Sequence, residues 1–342
     1  MYENVEILDC TLRDGGHVNG FEFGEDAIKE IILNIANSHI EIIEVGFLMN
    51  VEYNPNKSQY NTIDQVNRVL APISSKQKYS LMIRPDWYDI DKLTASENIS
   101  IIRFAFYEKD LSLAIQQARI ARNLGYSVFL NPVNVLGYSK SNLKILLEKI
   151  NQFSPYGVSI VDTFGGMQLN NFVEIHRQFE NELEENIILG VHLHENLSLS
   201  FAIAQKFIEI RNQNRKIVID TSLNGMGRIP GNLCTELMSS YINTPSIKYN
   251  MQPIFKAINE LIIPIKKKIP WGYSPEYAIS ALEKIHRSYP EYMKENLNLD
   301  LNLIEKISKL ISIKGFGNNF SETVVNECLA EVVKDGKQDK SS

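Results

Sequence analysis

Two stretches carry more polar chemistry than a buried strand needs: LDCTLRDGGHVNG at residues 8–20 and VHLHEN at residues 191–196. His192 and His194 stand at i and i+2, so on an extended strand both imidazoles project to the same side. Two neutral imidazoles and one carboxylate make a facial site with open positions that suits a divalent ion. Asp9 or Asp14 can supply the carboxylate; Asp9, which closes an apolar run, can instead pair with Arg13 or cap the loop. Gly15-Gly16 permits a tight turn denied to other residues, which leaves Arg13, Asp14 and His17 free to face a pocket. An arginine beside a metal ligand opposes the ion, since two cations repel. The arrangement makes sense when an anion sits between them.

The elements that must position these residues are short β-branched runs alternating with amphipathic segments. Strands are expected at Val5–Asp9, Glu41–Val45, Tyr79–Arg84, Ser100–Ala105, Ser127–Asn131, Gly157–Asp162, Ile187–His194 and Lys216–Thr221. Helical patterns fall between them at Asp26–Ala36, Leu111–Asn123, Ser141–Gln152, Leu169–Glu180, Ser198–Arg211 and Asn232–Tyr241, with further segments near Asp64–Leu70 and Asp86–Leu93. Eight such units, most strands continuously apolar, fit an α/β fold of the (β/α)8 TIM-barrel type. The rival, a doubly wound open sheet, loses support because no GxGxxG follows an early strand. In a barrel, strand C-terminal ends and the loops after them carry catalysis. Those ends hold Asp9 to His17, Glu44, Arg84, Asn131, Asp162-Thr163, His192 with His194, and Asn224 with Asn232. The barrel domain is expected over 1–245, a helical C-terminal region over 246–333, and a polar, disordered tail over 334–342.

Composition narrows the classes. The 342 residues carry a formal net charge of −6 and 44% hydrophobic content, which suits a soluble domain and argues against general nucleic-acid or anionic-membrane binding. Lys266-Lys267-Lys268 reads as a solvated face. No apolar run is long enough to span a bilayer, and the N-terminus lacks the basic start of a signal peptide. Cys10, Cys234 and Cys328 form no CxxC pair, so neither a disulfide framework nor a structural zinc site is expected, and a cytoplasmic location fits.

TLRDG after strand 1, IEVG in strand 2, HxHxN on strand 7 and a glycine-rich loop ending in GN after strand 8 together resemble the DRE-TIM metallolyases. That superfamily includes HMG-CoA lyase, isopropylmalate and homocitrate synthases, the carboxyltransferase domain of pyruvate carboxylase, and 4-hydroxy-2-oxovalerate aldolase. The resemblance covers roughly residues 4–240. It implies Asp14, His192 and His194 as metal ligands, Arg13 as the group that stabilises an enolate, and Glu44 and Asn232, with Asp162, as residues that orient them. The implied metal is Mn²⁺, with Mg²⁺, Co²⁺ or Zn²⁺ as alternatives. HENLSLS, and His17 three residues after Asp14, lean toward the hydroxy-oxoacid aldolases, in which that histidine acts as general base. WGYSPEY makes Tyr273 a candidate for the tyrosine those aldolases bring to the site. The loop NGMGRIPGN departs from HMG-CoA lyase in lacking a cysteine, and EVGFLMN departs from the catechol-pathway aldolases.

The expected activity is therefore aldol chemistry between a 2-oxo acid, such as pyruvate, and an aldehyde. The alternatives are a Claisen-type synthase or HMG-CoA lyase-like enzyme on the same metal, and a catalytically dead scaffold barrel. Arg13 and His17 argue against the scaffold, since neither is needed to hold a metal. A homodimer is expected, and an aldehyde dehydrogenase is a natural partner for the released aldehyde.

Overall fold

The computed structural model describes residues 2–71, 73, 76–244 and 246–338. Its centre is a closed barrel of eight parallel strands: β1 (Val5–Asp9), β2 (Ile42–Leu48), β3 (Lys78–Ile83), β4 (Ile99–Phe106), β5 (Ser127–Pro132), β6 (Gly157–Val161), β7 (Ile188–His192) and β8 (Ile217–Thr221). Neighbours pair in sequence order. The ring closes where β1 lies between β8, in register from Val5↔Ile217 to Asp9↔Thr221, and β2, at Leu8↔Ile42. Nearly every strand residue is buried, because one side fills the barrel and the other packs under helices. This is why the strands read as continuous apolar runs rather than as alternation. Leu8, Ile42, Ile101, Phe129, Ile188 and Val218 form one cluster within this sheet, and β-branched and aromatic residues of this kind make the barrel interior a packed core.

Seven helices follow strands: α1 (Glu25–Asn37), α2 (Ile63–Leu70), α3 (Leu111–Asn123), α4 (Lys140–Phe153), α5 (Leu169–Glu182), α6 (Ser200–Ile210) and α7 (Thr235–Ile242). The helix expected at Asp86–Leu93 is absent; only a 3-10 turn at Ile90–Lys92 follows β3. The Asp89 carboxylate accepts from the Asp91 N–H at 3.2 Å, a local bond that competes with helix formation. A two-residue strand, Gln59–Tyr60, adds to β2 after Gly46. Gly46 has φ +149°, and a Cβ there would lie 2.1 Å from the Ser58 carbonyl oxygen, so only glycine allows this close approach.

The C-terminal residues divide by the core they join. α8 (Met251–Ala257), a π turn at Ile258–Ile262 and α9 (Ile263–Lys268) add Ile254, Ala257 and Ile262 to the barrel's own core, as does Trp271. α10 (Pro275–Leu282), α11 (Ser288–Glu295), α12 (Leu301–Ile313) and α13 (Glu322–Gln338) enclose a second core around Tyr289, Met293, Ile304, Ile307 and Ile311. This cap sits on the C-terminal rim of the barrel: Asn196 Nδ2 donates to the Tyr277 carbonyl at 3.4 Å, and the Phe164 and His286 rings meet edge-on at 5.5 Å. Of the polar tail expected from 334, the stretch through Gln338 is helical; residues 339–342 lie outside the described residues. No helix among the described residues is long and apolar enough to cross a membrane.

Candidate active site

The chain leaves β1 in a tight reversal, with the Arg13 and Asp14 N–H groups both donating to the Cys10 carbonyl, at 3.1 and 2.8 Å. A 3-10 turn at Gly15–His17 follows. The two glycines are needed here for space and not for an unusual φ, since neither is among the positive-φ positions. A Cβ on Gly16 would lie 2.3 Å from the Phe21 ring, and one on Gly15 would crowd Met226 at 3.1 Å.

At the opposite wall β7 ends at His192, two residues earlier than a strand carrying both histidines would require. His194 is held instead by an isolated antiparallel bridge to Asn232. The two rings nonetheless stand 4.9 Å apart, nearly perpendicular. His192 Nδ1 contacts Asp220 Oδ2 at 3.1 Å, and His194 Nδ1 contacts the Asp162 carbonyl at 2.8 Å. Both acceptors demand a proton on Nδ1, which frees both Nε2 lone pairs. Those atoms face Asp14: His192 Nε2 is 3.9 Å from Oδ1 and His194 Nε2 is 3.7 Å from Oδ2. One ligand atom from each of the three residues lies within 4.8 Å of the others. Bonds of about 2.0–2.2 Å to a single ion produce separations of this order. Asn232 Nδ2 donates to Asp14 Oδ2 at 2.8 Å, and its buried Oδ1 has no partner, so a further oxygen ligand stands ready beside the triad. The donor set of imidazole, carboxylate and amide oxygen fits a divalent ion.

Behind these residues runs a buried chain of charges. Arg13 donates to Asp14 and, from Nε, to Glu44 Oε2 at 2.6 Å. Glu44 Oε1 takes Arg103 Nη1 at 3.3 Å, and Arg103 Nη2 reaches Asp220 Oδ2 at 2.6 Å and Asn131 Oδ1 at 3.2 Å. The path Asp14–Arg13–Glu44–Arg103–Asp220–His192 thus joins one triad member to another. Burial alone would raise the Asp14 and Asp220 pKa values. Arg13 with the two histidines holds Asp14 well below the usual carboxylate range, and Arg103 with His192 lowers the Asp220 pKa. Burial lowers the His192 pKa, which keeps that ring neutral, as a ligand must be.

These residues open onto a cavity of about 110 Å³ walled by Arg13, Asp14, His17, His192, His194, Arg103 and Asn131, with Phe47, Met82 and Trp87 as its apolar side. His17 packs edge-on against Phe21 and Phe47, and its Nδ1 lies 3.4 Å from Arg228 Nη2. Burial, followed by the Arg228 charge, pushes the His17 pKa well below its ordinary value, so the ring is neutral and able to accept a proton. Arg84, over the Trp87 ring and paired with Asp86, completes the outer wall.

Five of the expected residues therefore meet: Arg13, Asp14, His17, His192 and His194, with Asn232 directly behind. The others take different places. Asp9 is held by Thr235 Oγ1 at 2.6 Å and the Thr11 N–H at 2.9 Å, and burial lifts its pKa to about 6; it caps the loop. Asp162 contributes through its backbone oxygen, while its carboxylate turns to the Met167 N–H. Glu44 is fully buried and reaches the cavity only through Arg13 and Arg103. Tyr273 is 65% exposed and does not line the cavity. Arg103, Asp220 and Arg228 were not anticipated. The first two were signalled in the sequence: a lone Arg in SIIRFAF and a lone Asp in IVIDT, opposite charges in two buried strands of one barrel, need each other.

A family model described as HMGL-like matches residues 4–260, a span that holds the whole barrel and every residue of the site. The chain belongs to the HMGL-like family. It is 23% identical to 4-hydroxy-2-oxovalerate aldolase 6 of Rhodococcus jostii (strain RHA1), over 72% of this chain and 69% of that one. It is 26% identical to the 4-hydroxy-2-oxovalerate aldolase of Bacillus thuringiensis (strain Al Hakam), over 78% of this chain and 80% of that one. The carboxyl transferase domain of Rhizobium etli pyruvate carboxylase, solved with pyruvate and biocytin, superposes with a TM-score of 0.68 at 9% identity. That likeness covers 97% of this chain and 61% of the other, and shows the fold alone. Family and named relatives together mark a carbon–carbon lyase.

Proposed function

We propose that the protein is a divalent-metal-dependent aldolase that joins or separates a 2-oxo acid, pyruvate in the simplest case, and an aldehyde. The observation that carries this reading is the convergence of His192 Nε2 and His194 Nε2 on Asp14, with both Nδ1 atoms already engaged. An ion held there, with Mn²⁺ the expected metal, would act as a Lewis acid toward a 2-oxo acid.

The chain's own residues supply the rest. Arg13, fixed by Glu44 and Asp14, presents a permanent charge where negative charge develops on the former keto oxygen. Preorganised charge of this kind needs no reorganisation during the step. In cleavage of a 4-hydroxy-2-oxo acid, neutral His17 takes the proton of the C4 hydroxyl. The C3–C4 electron pair then moves toward C2, the aldehyde leaves, C3 takes a proton from the solvent to give the methyl group of pyruvate, and His17 releases its proton to the solvent. In condensation His17 returns its proton to the new hydroxyl. Phe47, Met82 and Trp87 line one side of the cavity and keep water from the developing charge. The free thiols Cys10, Cys234 and Cys328 suit a reducing cytoplasm.

The test is release of pyruvate from 4-hydroxy-2-oxovalerate and longer 4-hydroxy-2-oxo acids, followed by a lactate dehydrogenase couple. Metal-stripped protein should be inactive, and Mn²⁺ should restore it. Full activity after stripping, or restored protein that neither cleaves such acids nor exchanges pyruvate methyl protons with deuterated water, would refute the reading.

A further inference from the structure

Arg228 is a charged residue of the cavity wall to which the proposed chemistry gives no work. It comes from the loop after β8 and is partly buried, and its guanidinium reaches the cavity beside His17. The other three arginines of the wall are matched to carboxylates: Arg13 to Asp14 and Glu44, Arg103 to Glu44 and Asp220, Arg84 to Asp86. Arg228 forms no ion pair among the described residues, and its guanidinium instead contacts the neutral His17 ring. Its neighbour across the cap, Arg287, already holds Glu291 and adds to the positive field instead of relieving it. A desolvated cation without a counter-charge is costly unless a ligand completes it.

Its position says which part of the ligand that is. His17 serves the C4 hydroxyl in the proposed reaction, so a group beside His17 faces carbons at or beyond C4. These are the carbons that come from the aldehyde, whereas the 2-oxo acid carboxylate belongs with the triad. Size does not restrict the aldehyde to two carbons: a neighbouring cavity of about 540 Å³ shares Tyr107 and Val133 with the catalytic one. Resting on the aldolase reading, we infer that the aldehyde partner carries an anionic group, a carboxylate or a phosphate ester, which Arg228 binds. Planar guanidinium suits both, because each offers two oxygens to its fork.

The experiment condenses pyruvate with matched acceptors: acetaldehyde and glycolaldehyde as neutral probes, succinic semialdehyde for a carboxylate, and glycolaldehyde phosphate for a phosphate. Pyruvate consumption is measured with the Mn²⁺-loaded parent, Arg228→Gln and Arg228→Lys, and far-ultraviolet circular dichroism checks folding. The parent should prefer one anionic acceptor, and Arg228→Gln should cut that preference about 10–100-fold, the worth of a hydrogen-bonded charge. The rise should fall mainly on the acceptor KM, and Arg228→Lys should recover part of the loss. The arm that responds, carboxylate or phosphate, identifies the group. Equal use of neutral and anionic acceptors by the parent overturns the inference. So does equal slowing of all acceptors in Arg228→Gln with a shifted pH profile, which would mean that Arg228 only tunes His17. If pyruvate methyl protons exchange in every such case, the aldolase reading stands while this inference falls; if they do not exchange and no acceptor reacts, both fall.

Discussion

Replacing Asp220 by Asn tests whether the buried charge path serves the metal triad. Asp220 does two things: its Oδ2 holds His192 Nδ1 at 3.1 Å and accepts Arg103 Nη2 at 2.6 Å. An amide of the same shape can keep an acceptor oxygen at the place of Oδ2 but loses the negative charge that holds both donors there, and its NH₂ takes the place of Oδ1, which has no hydrogen-bond partner. Removing the orienting partner of a ligating histidine typically weakens metal affinity 10–100-fold, which is about 1.4–2.7 kcal/mol at 1.4 kcal/mol per tenfold. The stability loss has a separate source. Breaking a buried ion pair costs about 3–5 kcal/mol when the other charge is left alone. Arg103, 1% exposed, retains Glu44 and Asn131, so the lower end of that range is expected.

Glu44→Gln is the control that separates the two effects. It removes the same unit of charge from the same path and touches Arg13 and Arg103 but neither histidine. It should therefore destabilise comparably while leaving Mn²⁺ affinity closer to the parent. Calorimetric Mn²⁺ titration of metal-stripped protein gives affinity, and urea unfolding without metal gives stability. If Asp220→Asn binds Mn²⁺ as the parent does, Asp220 does not orient His192, and the path is a structural network only.

Four further outcomes are expected. The double variant His192→Ala/His194→Ala should lose the single Mn²⁺ bound per chain, measured by elemental analysis, yet keep the circular dichroism of the barrel. His17→Ala should slow cleavage of a 4-hydroxy-2-oxo acid by about 10²–10⁴-fold while sparing pyruvate methyl exchange; cleavage at the parent rate would make His17 structural. Arg13→Ala should suppress the exchange itself, and Arg13→Lys should restore only part of it because it lacks the fork. The His286 pKa is lowered to about 4 by burial and by Arg228, so below pH 6.5 the unfolded chain binds a proton that the fold refuses. Stability conferred by the neutral ring is thus full above pH 6.5 and is lost as pH falls toward 4; His286→Gln should flatten the urea midpoint over that window, and an unchanged slope would contradict the burial argument.

Much of this was legible from the sequence because the periodicities are strong. Continuous apolar runs at eight places marked strands buried on both sides, and the observed strands fall within a few residues of those runs. The third unit failed for a local reason: Asp89 spends its carboxylate on the Asp91 N–H, and a turn replaces the helix. The site was legible where residue type and position are both unusual, as in RDGGH and HLH. It was not legible for Tyr273, since the register of the helical cap depends on packing around Tyr289 and Met293, which no short-range pattern encodes. Asp162 shows a subtler limit: the position is right, but the backbone oxygen does the work.

The charge at the end of β1 is now explicable as one circuit. Asp14 faces two imidazoles and an arginine; without a cation between carboxylate and imidazoles, Arg13 alone balances it. A divalent ion in the triad would compete with Arg13 for Asp14 and free part of the guanidinium, which Glu44 would still hold in place. Arg13 would thereby become available to a substrate anion when an ion occupies the triad. The same logic explains why Glu44 is fully buried behind it: a counter-charge fixed out of reach of substrate keeps Arg13 oriented in both states. Metal and 2-oxo acid should therefore bind cooperatively, each tightening the other by the same factor. Calorimetry of pyruvate binding with and without Mn²⁺ measures that factor, and Glu44→Gln should reduce it. Pyruvate affinity independent of Mn²⁺ would show that Arg13 and Asp14 do not exchange partners.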